Sequence, residues 1–374
     1  MTHDLPFHLV NYALCGIPRP SIMRLRRTER LQRVAVPRLG HRLPGTASAS
    51  GGRRFRNVAL PFPLYQHVNF RLLGGPYAGF LGQPYDPLWT SFDAKGTREV
   101  PVLAEGSEKL DPYAGIRPED RLELGHRPGS NPPTIERVGF RRSLLEQFDT
   151  VRRDLEAQRR VVGYDRQQES AYALLTSSRL VKAIDVQEEP AEVREAYGMN
   201  LFGQSLLAAR RIMEAGGKFV TVFWDAYSHF ANGWDTHSNH YPRLKEFLMP
   251  VFDHSFPAFM DDMQQRGLLD ETAILCLSEH GRTPQLNNRP GNGREHWSRV
   301  YSVCRAGAGV GRGNVVGESD RVGGDVKSNP VSPKDILAST FHLLGVDPHM
   351  TVPDQLGRPV PIAGDGVVRG DLFG

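Results

Sequence analysis

The sequence predicts an α/β layered fold, and three observations carry that expectation. Two short apolar runs, Lys218 to Trp224 and Ala273 to Leu277, have the β-branched and aromatic content of buried parallel strands. A long helical pattern from Tyr241 to Gly267 lies between them. Each run empties into a loop rich in Asp, Glu, His and Arg, and ligands of open α/β sheets bind at the carboxyl ends of the strands.

At 374 residues the chain has room for one large or two ordinary domains. Its 39% hydrophobic and 24% charged residues fit a soluble globular protein. No apolar run approaches the ~20 residues needed to cross a membrane. Three cysteines, Cys15, Cys276 and Cys304, make no disulfide framework. Cys276 and Cys304 sit in strand-like apolar runs and read as small core residues.

The net charge of +4 is unevenly spread. Residues 1–56 hold eleven Arg against Asp4 and Glu29, a local net of +9, so the remainder carries about −5. This segment is rich in Pro and shows little periodicity, and it is expected to be disordered. Its apolar stretch, Phe7 to Leu14, precedes most of the arginines and is broken by Asn11, which is not the order of a signal peptide. It lacks the interleaved aromatics of a nucleic-acid arm, so nucleic acid is not expected as a partner. One domain is expected from residue 57 to residue 374.

Within that domain, Leu72 to Gly82 is a Gly-rich packing loop with no phosphate-binding pattern. Residues 93–140 read as a long irregular connection. Helices are expected over Arg141–Arg160, Tyr164–Ser177, Ala191–Tyr197 and Leu201–Ala215, the last ended by Gly216-Gly217. In the Tyr241–Gly267 pattern, Pro250 and Pro257 must kink or divide the helix. A third strand is expected at Val300–Cys304, and a short one near Val315. Ser332, Pro333 and Asp335 open a final helix that stops at Gly345.

Three polar clusters lie between Gly233 and Trp297. They are Trp234 to His240, Ser278 to Pro284, and Gly293 to Trp297. Together they gather the Asp, Glu, His and Arg types that hold metals and anions. Neutral imidazole and carboxylate are the usual ligands of Zn²⁺ and related ions. The planar forks of Arg282 and Arg294 suit phosphate or sulfate. Asp235 and His237, spaced as an i, i+2 pair along a strand, can point to one side. Set against this, an isolated Asp or His in a loop serves more often as a turn or cap residue.

These patterns, with Glu279-His280-Gly281-Arg282-Thr283-Pro284, His296-Trp297, Val331-Ser332-Pro333-Lys334-Asp335, Leu356-Gly357-Arg358-Pro359-Val360, Gly74 to Gly82 and Phe202-Gly203-Gln204-Ser205, resemble the DUF1501 family. The resemblance covers roughly residues 57–362. That family is similar to the sulfatase and alkaline phosphatase superfamily. The resemblance implies a three-layer α/β/α sandwich with a mostly parallel central sheet, and metal-dependent hydrolysis of phosphate or sulfate esters. The implied substrate is an anionic small molecule or polysaccharide ester, and the implied cofactor is a divalent metal, Zn or Ca/Mg. Members are often exported by a twin-arginine signal. Carried over by position, Asp235 with His237 or His240 serves one metal. Glu279 and His280 stand where the superfamily has an Asp-His pair, His296 is the last lone histidine, and Arg282 is the anion contact. Arg282 and His296 are thus the implied catalytic residues.

The chain departs from that pattern at its start. No counterpart of the early acidic ligand and the nucleophile is present, and Cys15-Gly16-Ile17-Pro18-Arg19 is one residue too long for a sulfatase Cys-x-Pro-x-Arg. The expectation is a domain lacking the usual N-terminal part. A binding or structural protein that keeps the fold without catalysis is the alternative reading.

Overall fold

In a computed structural model, the structure describes residues 14–18, 57–63, 65–66, 71–72, 77–82, 85–92, 94–100, 110–124, 178–224, 233–278 and 281–373. The helices expected over 141–160 and 164–177 lie outside these residues.

The chain is a mixed α/β structure organised on one seven-stranded sheet. Its strands are β1 (Leu14–Pro18), β2 (Asn57–Leu60), β3 (Leu88–Ser91), β4 (Glu123–Leu124), β5 (Phe219–Val222), β6 (Thr272–Cys276) and a later edge strand, β9 (Cys304–Ala306), in the spatial order β9-β6-β1-β5-β2-β3-β4. β2 runs parallel to β5 and to β3. The pairs β1–β5, β1–β6, β9–β6 and β3–β4 are antiparallel. The sheet is therefore mixed, and the expectation of a mostly parallel sheet is corrected.

The physical reason is the reversed strand β1. The two predicted strands, now β5 and β6, share one sheet and one direction, but they are not neighbours. β1 lies between them, with Cys15 opposite both Thr221 and Leu275. Its backbone takes up the hydrogen bonds that each strand would otherwise offer the other. β1 belongs to the segment 1–56 that was expected to be disordered. The third strand also falls later than expected, at Cys304–Ala306. In place of a strand near Val315, a short one forms at Glu318–Ser319.

Helices pack against the sheet. On one face α3 (Leu201–Glu214) is buried on nearly every side, with Phe202, Leu206, Leu207 and Ile212 fully enclosed. Asn200 caps it by accepting the Gly203 N–H at 2.8 Å. Gly203 is required there, because a Cβ would lie 2.0 Å from the Tyr197 carbonyl oxygen at the end of α2 (Ala191–Tyr197), the helix that follows α1 (Ser178–Ile184). The Tyr241–Gly267 pattern is divided. It forms α4 (His240–Arg243), a π-helical turn (Leu244–Leu248) and α5 (Met249–Gln265). The wide turn precedes Pro250, whose ring would collide with a carbonyl one turn back, while Pro257 is carried inside α5. On the opposite face Leu275 packs on Ile336 and Leu344, which belong to α6 (Pro333–Leu343) and its C-terminal end. Ser332 and Asp335 close a reciprocal capping box at the start of α6. No helix among the described residues is long and apolar enough to cross a membrane.

The core is aromatic where it approaches the polar clusters. Trp224 stacks on Tyr113 at 5.4 Å and meets Phe202 at 4.5 Å. Trp234 sits edge-on to Trp224 at 5.3 Å and to Phe252 at 6.1 Å. The residue after this anchor is Asp235.

Candidate metal centre

Hydrogen bonds hold residues 233–237 in place. Trp234 is held in the core, and the guanidinium of Arg243 donates to the Gly233 carbonyl at 2.5 Å and to the Asp235 carbonyl at 3.4 Å. Thr236 N–H donates to the Trp234 carbonyl and His237 N–H to the Asp235 carbonyl, at 2.9 and 3.0 Å. These are i to i+2 turns, so the extended backbone expected for Asp235 and His237 is replaced by a coil of tight bends. The two side chains still meet, because the bends fold the chain back on itself.

The second arm is a hairpin. β7 (Gly281–Arg282) pairs antiparallel with β8 (His296–Trp297), placing His296 opposite Arg282. Only glycine fits at Gly281, where a Cβ would lie 2.3 Å from the Val300 carbonyl oxygen. The loop joining the hairpin strands is stitched to the first arm. Arg294 N–H donates to the Thr236 carbonyl at 3.1 Å, His240 N–H to the Asn292 carbonyl at 2.9 Å, and Asn287 Nδ2 to the His237 carbonyl at 2.9 Å.

The two arms bring three side chains to one point. Asp235 Oδ1 lies 3.0 Å from His237 Nε2 and 2.8 Å from His296 Nε2, and the two Nε2 atoms are 3.1 Å apart. Arg282 Nη2 lies 3.0 Å from the same Asp235 oxygen and donates to the Trp234 carbonyl at 3.3 Å. Glu295 Oε2 is 2.6 Å from His237 Nδ1, inside ion-pair range although the ring N–H is not aligned for a full hydrogen bond. The Glu295 carboxyl is held below its ordinary range, first by the Asn287 side-chain amide and then by His237. Glu295 went unassigned in the sequence reading; its adjacency to His296 was the available signal.

Three of the predicted residues, Asp235, His237 and His296, are therefore gathered into a group with ligand atoms within 4.8 Å of one another. Glu279 and His280 lie outside the described residues. His240 is set apart. Its Nδ1 is 2.6 Å from Thr236 Oγ1, and burial, aided by Arg294, Arg282 and Arg243, pushes its ring down to about 4. It stays neutral at pH 7 and secures the start of α4. Arg294 is also drawn away from an anion-binding role. Its Nη1 donates to the Thr283 and Pro284 carbonyls at 2.6 Å each, and its Nη2 donates to the Tyr241 hydroxyl. It braces the loop.

By its donor chemistry the group could hold a divalent metal. One carboxylate and two imidazoles, close enough to share an ion, are a set that suits Zn²⁺ and related transition metals better than Ca²⁺ or Mg²⁺, which prefer all-oxygen shells. His237 has a carboxylate oxygen beside each ring nitrogen, Glu295 Oε2 at Nδ1 and Asp235 Oδ1 at Nε2.

A protein-family profile described as "Protein of unknown function (DUF1501)" matches residues 75–372. No curated protein and no solved structure matches the chain. The family match spans well over half of the sequence, so the chain belongs to the DUF1501 family.

Proposed function

We propose that this chain is a metal-dependent hydrolase of phosphate or sulfate esters, with Asp235, His237 and His296 holding one divalent ion. The convergence of these three side chains from two separate arms is the observation that carries the reading. The sulfatase and alkaline phosphatase likeness of the sequence motifs supports it, and the mixed α/β architecture is compatible with it. A bound divalent ion would act as a Lewis acid toward an ester oxygen. Arg282 orients the Asp235 carboxylate and brings positive charge to the rim of the group, where an anionic ester is favoured. Glu295 steadies the His237 ring from behind.

Titration of the purified chain with Zn²⁺, Mn²⁺, Ca²⁺ and Mg²⁺ by calorimetry tests the site, followed by turnover of aryl phosphate and aryl sulfate esters with the metal bound. Stoichiometric binding that disappears in the His237→Ala, His296→Ala double variant, together with metal-dependent turnover, is the expected result. Binding undiminished in that variant would refute the ligand assignment. A binding protein without catalysis is favoured instead by the crowding of Asp235 Oδ1, which already faces Arg282 and both imidazoles. Metal binding with no turnover of either ester class would select that second reading.

A further inference from the structure

We propose that Cys276 and Cys304 form a disulfide across the β6–β9 strand pair, so that thiol oxidation staples the edge of the sheet. In the antiparallel register Cys304 stands directly opposite Cys276, and Ala306 opposite Ile274. Directly opposed residues of an antiparallel pair present their side chains on the same face, with Cα atoms roughly 4.5–5.5 Å apart. A disulfide spans about 4.4–6.8 Å between Cα atoms, so the register meets its Cα-spacing requirement. The packing agrees on the face: Ile274 and Cys276 belong to the main core, and Ala306 packs against that same core, while Leu275 points the other way.

The two thiols are free in this structure, Cys276 buried and Cys304 exposed. That asymmetry orders the chemistry. Burial raises both thiols, Cys276 up to about 12, and only Cys304 is exposed to an incoming oxidant, so Cys276 is the poor first nucleophile. Exposed Cys304 exchanges first with a small disulfide such as oxidised glutathione. Its thiolate forms an S–S bond to one sulfur and releases the other as a thiolate. Cys276 then loses its proton and attacks Cys304 Sγ, releasing the second thiolate. Two protein thiols are oxidised, one small disulfide is reduced to two thiols, and the two protons leave with them.

The staple has a structural consequence. The loop it closes contains the whole β7–β8 hairpin, and with it Arg282, Glu295 and His296. Closing that loop restricts the unfolded chain and ties the carboxyl end of β6 to the return strand β9.

The test uses the full-length chain, fully reduced and then equilibrated with oxidised glutathione. Thiols are counted in denaturant, the linked peptides are mapped without reduction, and Tm is recorded before and after. The chain holds three cysteines, so the count falls from three to one, a peptide joining Cys276 to Cys304 appears, and Tm rises by several degrees and returns on reduction. In the Cys304→Ser variant, at an exposed position, no linked peptide forms and Tm does not respond to the oxidant. Three thiols remaining after equilibration, a bridge that involves Cys15, or a glutathione adduct that stalls on Cys304 would each overturn the proposal.

Discussion

Asp111 is fully buried, with Oδ1 accepting the Tyr113 N–H at 2.8 Å and Oδ2 without a hydrogen-bond partner among the described residues. Burial outweighs that hydrogen bond and the field of Arg243, and it pushes the carboxyl from its ordinary 3.8 up to about 7. The folded chain therefore binds this proton more tightly than the unfolded chain does. Stability from this group is fully present below pH 3.8, falls as pH rises because the unfolded carboxyl ionises first, and is lost once pH passes about 7. At 1.36 kcal/mol per pH unit, that interval bounds the loss at about 4 kcal/mol. Asp111→Asn removes the ionisation and retains an oxygen to accept the Tyr113 N–H. Urea unfolding of both proteins between pH 4 and pH 8 isolates the term, since every other titrating group is common to the two. The Asn variant should gain on the wild type by up to about 4 kcal/mol across that range. Parallel stability–pH curves for the two proteins would show that Asp111 is solvated or compensated, and the reasoning would fail.

Other outcomes follow from single contacts. Glu295→Gln should weaken divalent-metal binding roughly 10–100-fold while sparing the fold, because it loosens the His237 ring; calorimetric titration checks this. Arg243→Met leaves the Gly233 and Asp235 carbonyls without their buried donor and should cost about 1–3 kcal/mol in chemical denaturation. Ser332→Ala removes half of the capping box of α6 and should cost roughly 0.5–2 kcal/mol, measured in the same way. Leu206→Ala, in the fully buried stripe of α3, should cost roughly 2–5 kcal/mol and lower Tm.

Local signals in the sequence were enough to determine the elements whose causes are local. The cap and stop of α6 lie in Ser332, Asp335 and Gly345, and the start of α3 in Asn200 and Gly203, all within one turn of the structure they specify. The apolar runs of β5 and β6 announced buried strands by composition, and Pro250 announced a break in the long helix that appears as the π-helical turn. The membership of Asp235, His237 and His296 in polar clusters was visible for the same reason.

Tertiary structure alone decided what depends on partners distant in sequence. The reversal and insertion of β1 between β5 and β6 is a matter of backbone pairing across more than two hundred residues, which no periodicity in residues 14–18 expresses. His237 and His240 have similar local settings in the sequence. His237 turns to Asp235 and His296 because the β7–β8 hairpin delivers His296 there, while His240 is captured by Thr236 and buried beneath arginines. Arg282 and Arg294 offer the same guanidinium, yet the strand register sets one against Asp235 and the loop path sets the other against two carbonyls. Side-chain identity limits which contacts are chemically possible. The long-range register chooses among them, because only it fixes which groups come within reach of a hydrogen bond or a shared ion.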